Sequence, residues 1–387
     1  MAYEFKTEST YQEYFTKAHG MVRKSVRDFI RKEVLPYIDE WEEACEFPRE
    51  IYKKAADVGI LGMGYPEAYG GTPGDIFFQI AVSEELMRST SGGFCAGLGS
   101  LNIAIPPILT LGTEEQKKKF IPPVLAGEKI AALGITEPGG GSDVANLQTT
   151  AIRDGDHYTV NGSKTFITSG CRADQLTCAV RTGGEGAHGI SLLVIEADTP
   201  GYSVSEKLKK TGWWASDTAE IFFDNCRVPT ANLLGEENQG FYGIMINFQA
   251  ERLSLAIMAN MTARMALEEA IKYSKEREAF GKSLTGFQVT RHKLADMATM
   301  VEASTEFTYR IAAKIGAGVD QIKEISMAKN FACDVSDKVT YDALQLFGGY
   351  GYMRGYPVER LYRDNRILSI GGGTREIMNE IISRLML

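Results

Sequence analysis

The sequence feature that most constrains the fold is a long apolar segment in the second half of the chain. Between Phe241 and Tyr273 there is no Pro, and no Gly follows Gly243. Because Gly and Pro are the residues that disfavour a helix most, the whole segment is predicted to form one helix. The remaining elements must be arranged around this helix.

Glu251 is predicted to lie on the apolar side of that helix. Its neighbours at spacings of three, four and seven residues are all apolar: Ile244, Phe248, Leu255 and Met258. An unpaired charge in such surroundings is costly. The residues alone allow two interpretations: a buried ion pair with a neighbouring Arg, or a carboxylate kept for chemistry.

Length and charge limit the class of protein. A chain of 387 residues is long enough for two or three domains. A net charge of −8 without a basic cluster argues against nucleic-acid binding. No membrane span is predicted, because the longest uncharged run, Ser89–Thr113, contains five Gly residues and the pair Pro106-Pro107.

Cysteine and histidine usage gives no sign of a metal site. The six Cys residues are scattered without a CxxC motif, and no HExxH motif is present, so we expect reduced thiols and no metal. The first ten residues have no apolar core and carry acidic side chains, unlike a secretory signal or a transit peptide. We therefore expect a bacterial cytoplasmic protein, with a processed form in the mitochondrial matrix as the open alternative.

Hydrophobic periodicity divides the chain into three domains. Helical spacing, from Tyr11 onwards, dominates residues 1–128, short strand-like runs dominate 129–236, and helical spacing returns in 237–387. No GxGxxG follows a strand and no GxxxxGK[ST] occurs, so nicotinamide-binding and P-loop folds are disfavoured. The predicted class is α+β, with a central β-barrel or sandwich domain between helical domains. The helices predicted after the β domain are Phe241–Arg277, Phe287–Gly316, Gln321–Leu346 and Ile377–Leu387.

Five motifs punctuate these domains. They are LGITEPGGGSD from Leu133, NGSKTFIT from Asn161, REAFGKSLTGFQ from Arg277, QLFGGYG from Gln345 and SIGGGT from Ser369. Three consecutive Gly residues beside a Ser allow backbone N–H groups to approach an anion or a flat ring closely. Taken singly, each motif also fits an ordinary turn, hairpin or helix end.

Taken together, in this order, the motifs resemble those of the acyl-CoA dehydrogenase family of flavoproteins. The resemblance implies an N-terminal helical domain, a central β domain, a C-terminal four-helix bundle and one FAD per subunit, usually in a homotetramer. It also implies oxidation of an acyl-CoA to trans-2-enoyl-CoA, with electrons passed to an electron-transfer flavoprotein.

The resemblance also assigns cofactor contacts. In the β domain, the isoalloxazine edge is expected to contact Leu133, Ile135 and Thr136. The FAD pyrophosphate and the pantetheine arm of the substrate are expected to face Gly141 and Ser142. The flavin is expected to pack against Phe166 and Thr168, with Thr168 near N5. In the C-terminal domain, Arg277, Phe280 and Gln288 are expected to reach the FAD of a neighbouring subunit. Gln345, Gly349, Thr374 and Glu376 are expected to complete the site.

The catalytic base departs from the commonest family pattern. Most members carry a Glu immediately before a Gly-Thr pair near the C-terminus, where this chain has Gly372. Long-chain and isovaleryl-CoA dehydrogenases place it instead in a sequence resembling AERL, found here at Ala250–Leu253. The resemblance therefore assigns Glu251 as the base that takes the α-proton while flavin N5 takes the β-hydride.

The resemblance also implies a role for Gly372, at the position where most members carry the catalytic Glu. The backbone N–H of Gly372, with a ribityl hydroxyl of FAD, is expected to stabilise the thioester oxygen. A dry pocket raises the pKa of a carboxylic acid towards neutrality, which suits this reaction. Arg252 either packs the helix in an ion pair or aligns the substrate or base, and both interpretations stay open.

The acyl pocket is less defined by the sequence. Phe94, Ala96 and Gly97 fall where family members line the cavity for the acyl tail, and Ser142 and Arg252 are further candidates for substrate contact. Long, branched, medium-chain, terpenoid and alicyclic acyl groups all remain open, as does the role of Trp213-Trp214. The alternative functions are an oxidase or desulfinase-like relative, and a non-catalytic acyl-CoA-binding protein, which the presence of Glu251 disfavours.

Overall fold

The computed structural model describes residues 13–387, except for the side chain of residue 246. The predicted helical start at Tyr11 and the segment assessed for targeting lie outside the described residues. Within them the chain forms helices, then a sheet, then helices again, so the predicted fold class is confirmed.

The N-terminal part consists mostly of short helices. The α-helices are α1 (Lys17–Phe29), α2 (Ile38–Ala44), α3 (Glu50–Asp57), α4 (Ile76–Met87), α5 (Gly92–Leu98), α6 (Leu101–Ala104), α7 (Pro106–Leu111), α8 (Glu114–Phe120) and α9 (Pro122–Leu125). The predicted capping box before α8 is present, because Thr113 N–H donates to Gln116 Oε1 at 2.8 Å and Gln116 N–H donates to Thr113 Oγ1 at 3.3 Å.

The middle part forms one mixed sheet. Its strands are β1 (Ala131–Gly134), β2 (Thr150–Asp154), β3 (His157–Thr168), β4 (Gln175–Arg181), β5 (Ile190–Glu196), β6 (Tyr202–Val204), β7 (Thr218–Pro229) and β8 (Leu233–Leu234). The strand order is β6-β7-β3-β2-β4-β5-β8, and β1 pairs with β4 in parallel. The predicted hairpin is present as β2 and β3, and the pairing of β3 with β7 is irregular between Lys164 and Ile167. Phe166 therefore lies at an irregular point of the sheet.

The C-terminal part is built on the long predicted helix. Its helices are α10 (Gly240–Glu276), α11 (Gln288–Gly316), α12 (Ile322–Phe347), α13 (Pro357–Asn365) and α14 (Arg375–Met386), and the short strands β9 (Glu278–Ala279) and β10 (Lys282–Ser283) connect the first two. Helix α13 was not among the predicted helices. Helix α10 packs along both α12 and α11 and also contacts α4, so buried residues of α10 join those of the N-terminal helices in one core.

Among the described residues, no individual helix has the length and apolar character needed to cross a membrane. A bent pair, Gly92–Leu98 with Leu101–Leu111, meets those criteria only when its two halves are taken together. It lies within the predicted interrupted region and is rich in buried residues.

Candidate active site

Glu251 lies where α10 faces the interior. Ile244, Leu255 and Met258 are buried and Phe248 is partly buried, as the helical spacing predicts. Burial raises the pKa of the Glu251 carboxyl, while the nearby charges of Lys329 and Arg252 act in the opposite direction. Within residues 13–387 the carboxylate makes no hydrogen bond or ion pair. The ion-pair interpretation is therefore not what the structure shows.

Gly372 lies directly against the Glu251 carboxyl group. A Cβ added at Gly372 would be 3.5 Å from both Glu251 Cδ and Oε1, and 2.6 Å from Leu255 Cδ1. Gly372 also has a φ of +63°, which side chains rarely permit. Thus the two positions at which the resemblance allows a catalytic base lie next to each other, and local packing favours glycine at one of them.

Arg252 contacts the glycine loop rather than Glu251. Its Nε donates to the carbonyl oxygen of Gly372 at 3.3 Å, and the side chain is buried. Burial lowers the pKa of the guanidinium, and the charge of Glu251 partly offsets that effect. The observed contact favours a role in holding the residues around Glu251.

Lys329 is a site residue that the sequence analysis missed. It is 1% exposed on α12, and its Nζ donates to Gly371 O at 2.5 Å and also to Gly373 O. Burial lowers the pKa of this lysine to about 8. The sequence feature that could have identified Lys329 is its position on the buried side of α12, four residues after Ile325 and four before Cys333.

The first group of predicted cofactor residues comes together in the β domain. Thr165 N–H donates to Thr136 O at 2.9 Å, and a Cβ at Gly141 would lie 3.6 Å from Thr136 Cγ2. Phe166 is 69% exposed and has a φ of +60°, a strained backbone for an aromatic residue. Of the other predicted residues here, Ile135 is buried, Leu133 and Thr168 are partly buried, and Ser142 is exposed.

A buried ion pair supports this group from below. Lys164 Nζ donates to Glu137 Oε1 at 2.7 Å and to Ile135 O at 3.3 Å. Glu137 also accepts from the backbone N–H groups of Gln148 and Thr149 at 2.5 and 2.9 Å. Burial raises the pKa of the Glu137 carboxyl, but these contacts outweigh that effect and lower it, so Glu137 remains charged at the start of the Gly-rich loop.

The second group lies around an open cavity of about 460 Å³ in the C-terminal part. Arg277 and Gly349 line it, and the Arg277 guanidinium lies 5.9 Å from the centre of the Tyr350 ring. Phe280, three residues after Arg277, is 96% exposed and has a φ of +52°. The residues that line the cavity all come from the C-terminal part and none from the β domain.

The remaining predicted cofactor residues are separate from these groups or exposed. Gln345 and Gln288 are exposed, and Gln288 Nε2 lies 3.2 Å from His292 Nε2. Thr374 caps α14, with its Oγ1 accepting from Ile377 N–H at 3.4 Å, and Glu376 is exposed. Their contacts with FAD stay predictions.

The predicted acyl-pocket residues have packing roles in the structure. Phe94 is fully buried, with its ring centre 5.9 Å from that of Trp41 and 5.1 Å from that of Phe47. A Cβ at Gly97 would lie 2.7 Å from the Phe47 ring, whereas Ala96 is partly exposed. Close packing thus explains why residue 97 is glycine, and contact of these residues with substrate stays a prediction.

The pair Trp213-Trp214 connects the β domain to both helical parts of the chain. Trp213 N–H donates to Asp364 Oδ1 at 2.6 Å, and a Cβ at Gly92 would lie 2.3 Å from Trp213 Nε1. The ring of Trp214 is contacted by Arg354 and Arg363, whose guanidinium carbons lie 4.2 and 3.8 Å from its centre. These contacts give both residues a structural role.

Comparison with family models covers most of the chain. The acyl-CoA dehydrogenase N-terminal domain matches residues 16–128, the middle domain matches 132–226 and the C-terminal domain matches 238–387. The chain is 43% identical to an acyl-CoA dehydrogenase of Bacillus subtilis over 97% of its length and 99% of that protein. It is 41% identical to the mitochondrial long-chain specific acyl-CoA dehydrogenase of Sus scrofa, over 96% of this chain and 86% of that one.

The chain is also similar to a reductase subunit and to two proteins of known structure. A caffeyl-CoA reductase–Etf complex subunit from Acetobacterium woodii is 39% identical over 97% of this chain and 99% of its own. The structure of a probable acyl-CoA dehydrogenase from Mycobacterium abscessus matches with a TM-score of 0.95 and 49% identity, over 97% of this chain and all of that one. An acyl-CoA dehydrogenase from Bacillus anthracis, solved in complex with FAD, matches with a TM-score of 0.91 and 32% identity, over 97% of this chain and 67% of that one.

Proposed function

Because this chain belongs to the acyl-CoA dehydrogenase family, we propose that it oxidises an acyl-CoA thioester to trans-2-enoyl-CoA with FAD as its cofactor and Glu251 as the base. The observation that carries the proposal is the unpaired carboxylate of Glu251 on the inner side of α10, against Gly372. A carboxylate without a partner is costly in such a place unless it has a task.

The residues around Glu251 suit removal of an α-proton. The α-carbon of a thioester is weakly acidic, and a base whose pKa is raised by burial accepts that proton more readily near neutral pH. As the proton moves to Glu251, negative charge develops on the thioester oxygen, and the backbone N–H of Gly372 is the donor proposed to stabilise it. Arg252 and Lys329 hold the loop that carries this donor.

The proposed cofactor residues of the β domain leave a surface that is open to a flat ligand. Phe166 presents an exposed ring, and a Cβ at Gly139 would meet no atom within 4 Å, so the Gly-rich loop leaves room for a ligand. When bound, FAD supplies the acceptor for the hydride that leaves the β-carbon. Leu133, Ile135, Thr136 and Thr168 are proposed to hold it from neighbouring backbone.

The proposed partners are a second copy of the chain and an electron-transfer flavoprotein. The relative named as part of an Etf complex supports the latter. Phe280 is almost wholly exposed on a strained backbone, three residues after Arg277, which lines the open cavity. This exposure supports the proposal of a site shared between subunits of a homotetramer. We also propose a bacterial cytoplasmic location.

The test is anaerobic bleaching of bound FAD by a panel of straight, branched and cyclic acyl-CoAs. The wild type should bleach with at least one member, whereas Glu251→Gln should retain FAD and bleach with none. Glu269→Gln is the matched control, since Glu269 lies on the same helix and burial also raises its pKa. Normal bleaching by Glu251→Gln would remove Glu251 from the mechanism.

The alternative oxidase or desulfinase-like functions differ in the step after flavin reduction. The reduced enzyme should be reoxidised rapidly by an electron-transfer flavoprotein and slowly by dioxygen. Fast reoxidation by dioxygen would favour an oxidase, and absence of bleaching by every acyl-CoA would favour a non-catalytic acyl-CoA-binding role.

A further inference from the structure

Three consecutive carbonyl groups in the loop before α14 accept hydrogen bonds from buried cations. Lys329 Nζ donates to Gly371 O and Gly373 O, and Arg252 Nε donates to Gly372 O. The loop is unusual in its backbone, since Gly372 and Gly373 have φ values of +63° and +98°. Without side chains of their own, these glycines depend on outside groups to fix the direction of each peptide plane.

The contact with Gly371 determines where the Gly372 N–H points. The carbonyl of Gly371 and the N–H of Gly372 belong to the same planar trans peptide unit, so they point in opposite directions. A cation that holds the carbonyl on one side therefore directs the N–H to the other. The same cation polarises the peptide unit and strengthens the N–H as a donor.

Packing alone does not require a lysine at position 329. The residue is 1% exposed, and within the described part of the chain the hydrogen bonds of its ammonium go to the carbonyl oxygens of Gly371 and Gly373. Burying an ammonium with carbonyl partners alone is costly, and an apolar residue of similar length would fill the same space more cheaply. The titratable and charged groups that act on Lys329 are Cys333 on α12 and Glu251 and Arg252 on α10.

We infer that Lys329 is a positioning residue for the reaction: by holding the carbonyl of Gly371, it directs the N–H of Gly372 towards the oxygen of the thioester. This inference rests on the proposed function and adds to it a residue that does not itself touch the substrate. Loss of Lys329 should weaken stabilisation of the charged oxygen while leaving Glu251 and the FAD site in place.

The test uses the FAD-loaded enzyme and an acyl-CoA analogue with sulfur at position 3, which can lose its α-proton but cannot be dehydrogenated. Ionisation of the bound analogue produces a long-wavelength absorption band, which can be titrated against pH. In Lys329→Met, the acid dissociation constant of the bound analogue should fall about tenfold or more, and the bleaching rate should fall about tenfold to a hundredfold, with KM little changed. Lys329→Arg, which can still hold a carbonyl, should recover most of both.

Lys338→Met is the matched control, because Lys338 lies on the same helix but is largely exposed and pairs with Asp342. FAD content and the melting temperature are measured for each variant. If Lys329→Met does not retain FAD, Lys329→Gln, which keeps N–H donors but no charge, is titrated instead. An unchanged dissociation constant in the folded variant would overturn the inference, whereas a wild type that neither ionises the analogue nor bleaches would overturn the proposed function itself.

Discussion

The carboxyl group of Glu251 lies next to the α-carbon of Gly372, since a Cβ on Gly372 would lie 3.5 Å from Glu251 Oε1. One residue belongs to α10 and the other to the loop before α14. A base attached at either position would reach nearly the same point. The position at which this chain carries the carboxylate is the one that leaves the glycine loop free of a side chain.

This convergence predicts the outcome of moving the base. The variant Glu251→Gln/Gly372→Glu should bleach at most weakly, because residue 372 has a φ of +63° and its Cβ would lie 2.6 Å from Leu255 Cδ1. The backbone strain alone costs about 1–2 kcal/mol. Adding Leu255→Ala should raise the rate about tenfold by removing the clash, as followed by anaerobic bleaching.

Leu255→Ala in the otherwise native chain is the control for this transfer and should retain most activity. If the double variant were as fast as the wild type, the steric account of Gly372 would be incorrect.

The sequence predicted those parts of the site that depend on local spacing or on a resemblance. Helical spacing predicted that Glu251 lies on the inner side of α10, and the resemblance then proposed it as the base and pointed to Gly372 as the position where a Glu is replaced. Lys329 was not found, because its partners are backbone carbonyls 42 and 44 residues further along the chain. No local pattern specifies such a contact.

In the fold, too, features set by local spacing were predictable and long-range contacts were not. Long periodic helices such as α10 were predicted within a few residues, whereas the parallel pairing of β1 with β4 is a long-range contact that periodicity does not encode. The strained backbones of Phe166 and Phe280 were likewise invisible in the sequence, since neither residue type favours a positive φ.

The raised pKa of Glu251 predicts that its carboxylate destabilises the fold near neutral pH. Because the folded state holds this proton more tightly than the unfolded state, the associated stability is complete below pH 4.5 and is lost as pH rises through the folded-state pKa. Glu251→Gln should therefore be more stable than the wild type at pH 7.5, by about 1.4 kcal/mol for each tenfold change in the dissociation constant.

Urea unfolding at several pH values checks this prediction. The difference between Glu251→Gln and the wild type should shrink as the pH is lowered through the folded-state pKa of Glu251, and it should vanish below about pH 4.5. A variant less stable than the wild type at pH 7.5 would contradict an unpaired carboxylate that the fold removes from solvent.

The buried pair of Glu137 and Lys164 predicts coupled losses of stability and cofactor. Glu137→Gln should lower the free energy of unfolding by about 3–5 kcal/mol, because Lys164 would remain buried without its anion. It should also weaken retention of FAD, since the pair supports the loop that includes Thr136. The pKa of Glu137 is lowered, so the stability it contributes is present above pH 4.5 and is lost as the pH falls through its folded-state pKa.

A double-mutant cycle isolates this interaction. Glu137→Gln/Lys164→Met should be more stable than the sum of the two single losses indicates. The exposed pair of Lys119 and Glu196 is the comparison, and Lys119→Met should cost less than about 1 kcal/mol. Equal losses at the two pairs would show that burial of Lys164 carries no special penalty.

Phe280 offers a test of the proposed site between subunits. Its side chain is 96% exposed, so Phe280→Ala should leave the unfolding free energy of the isolated chain almost unchanged. If the ring instead contacts FAD bound to a neighbouring subunit, the variant should lose FAD about tenfold more readily, because an aromatic contact buried on assembly would be missing. FAD content after gel filtration and the mass of the assembly by light scattering measure these effects.

Ile152→Ala is the control, since Ile152 is 67% exposed but lies in the β domain, away from Arg277 and its cavity. Identical FAD retention in the two variants would mean that the exposed ring of Phe280 has no part in the cofactor site.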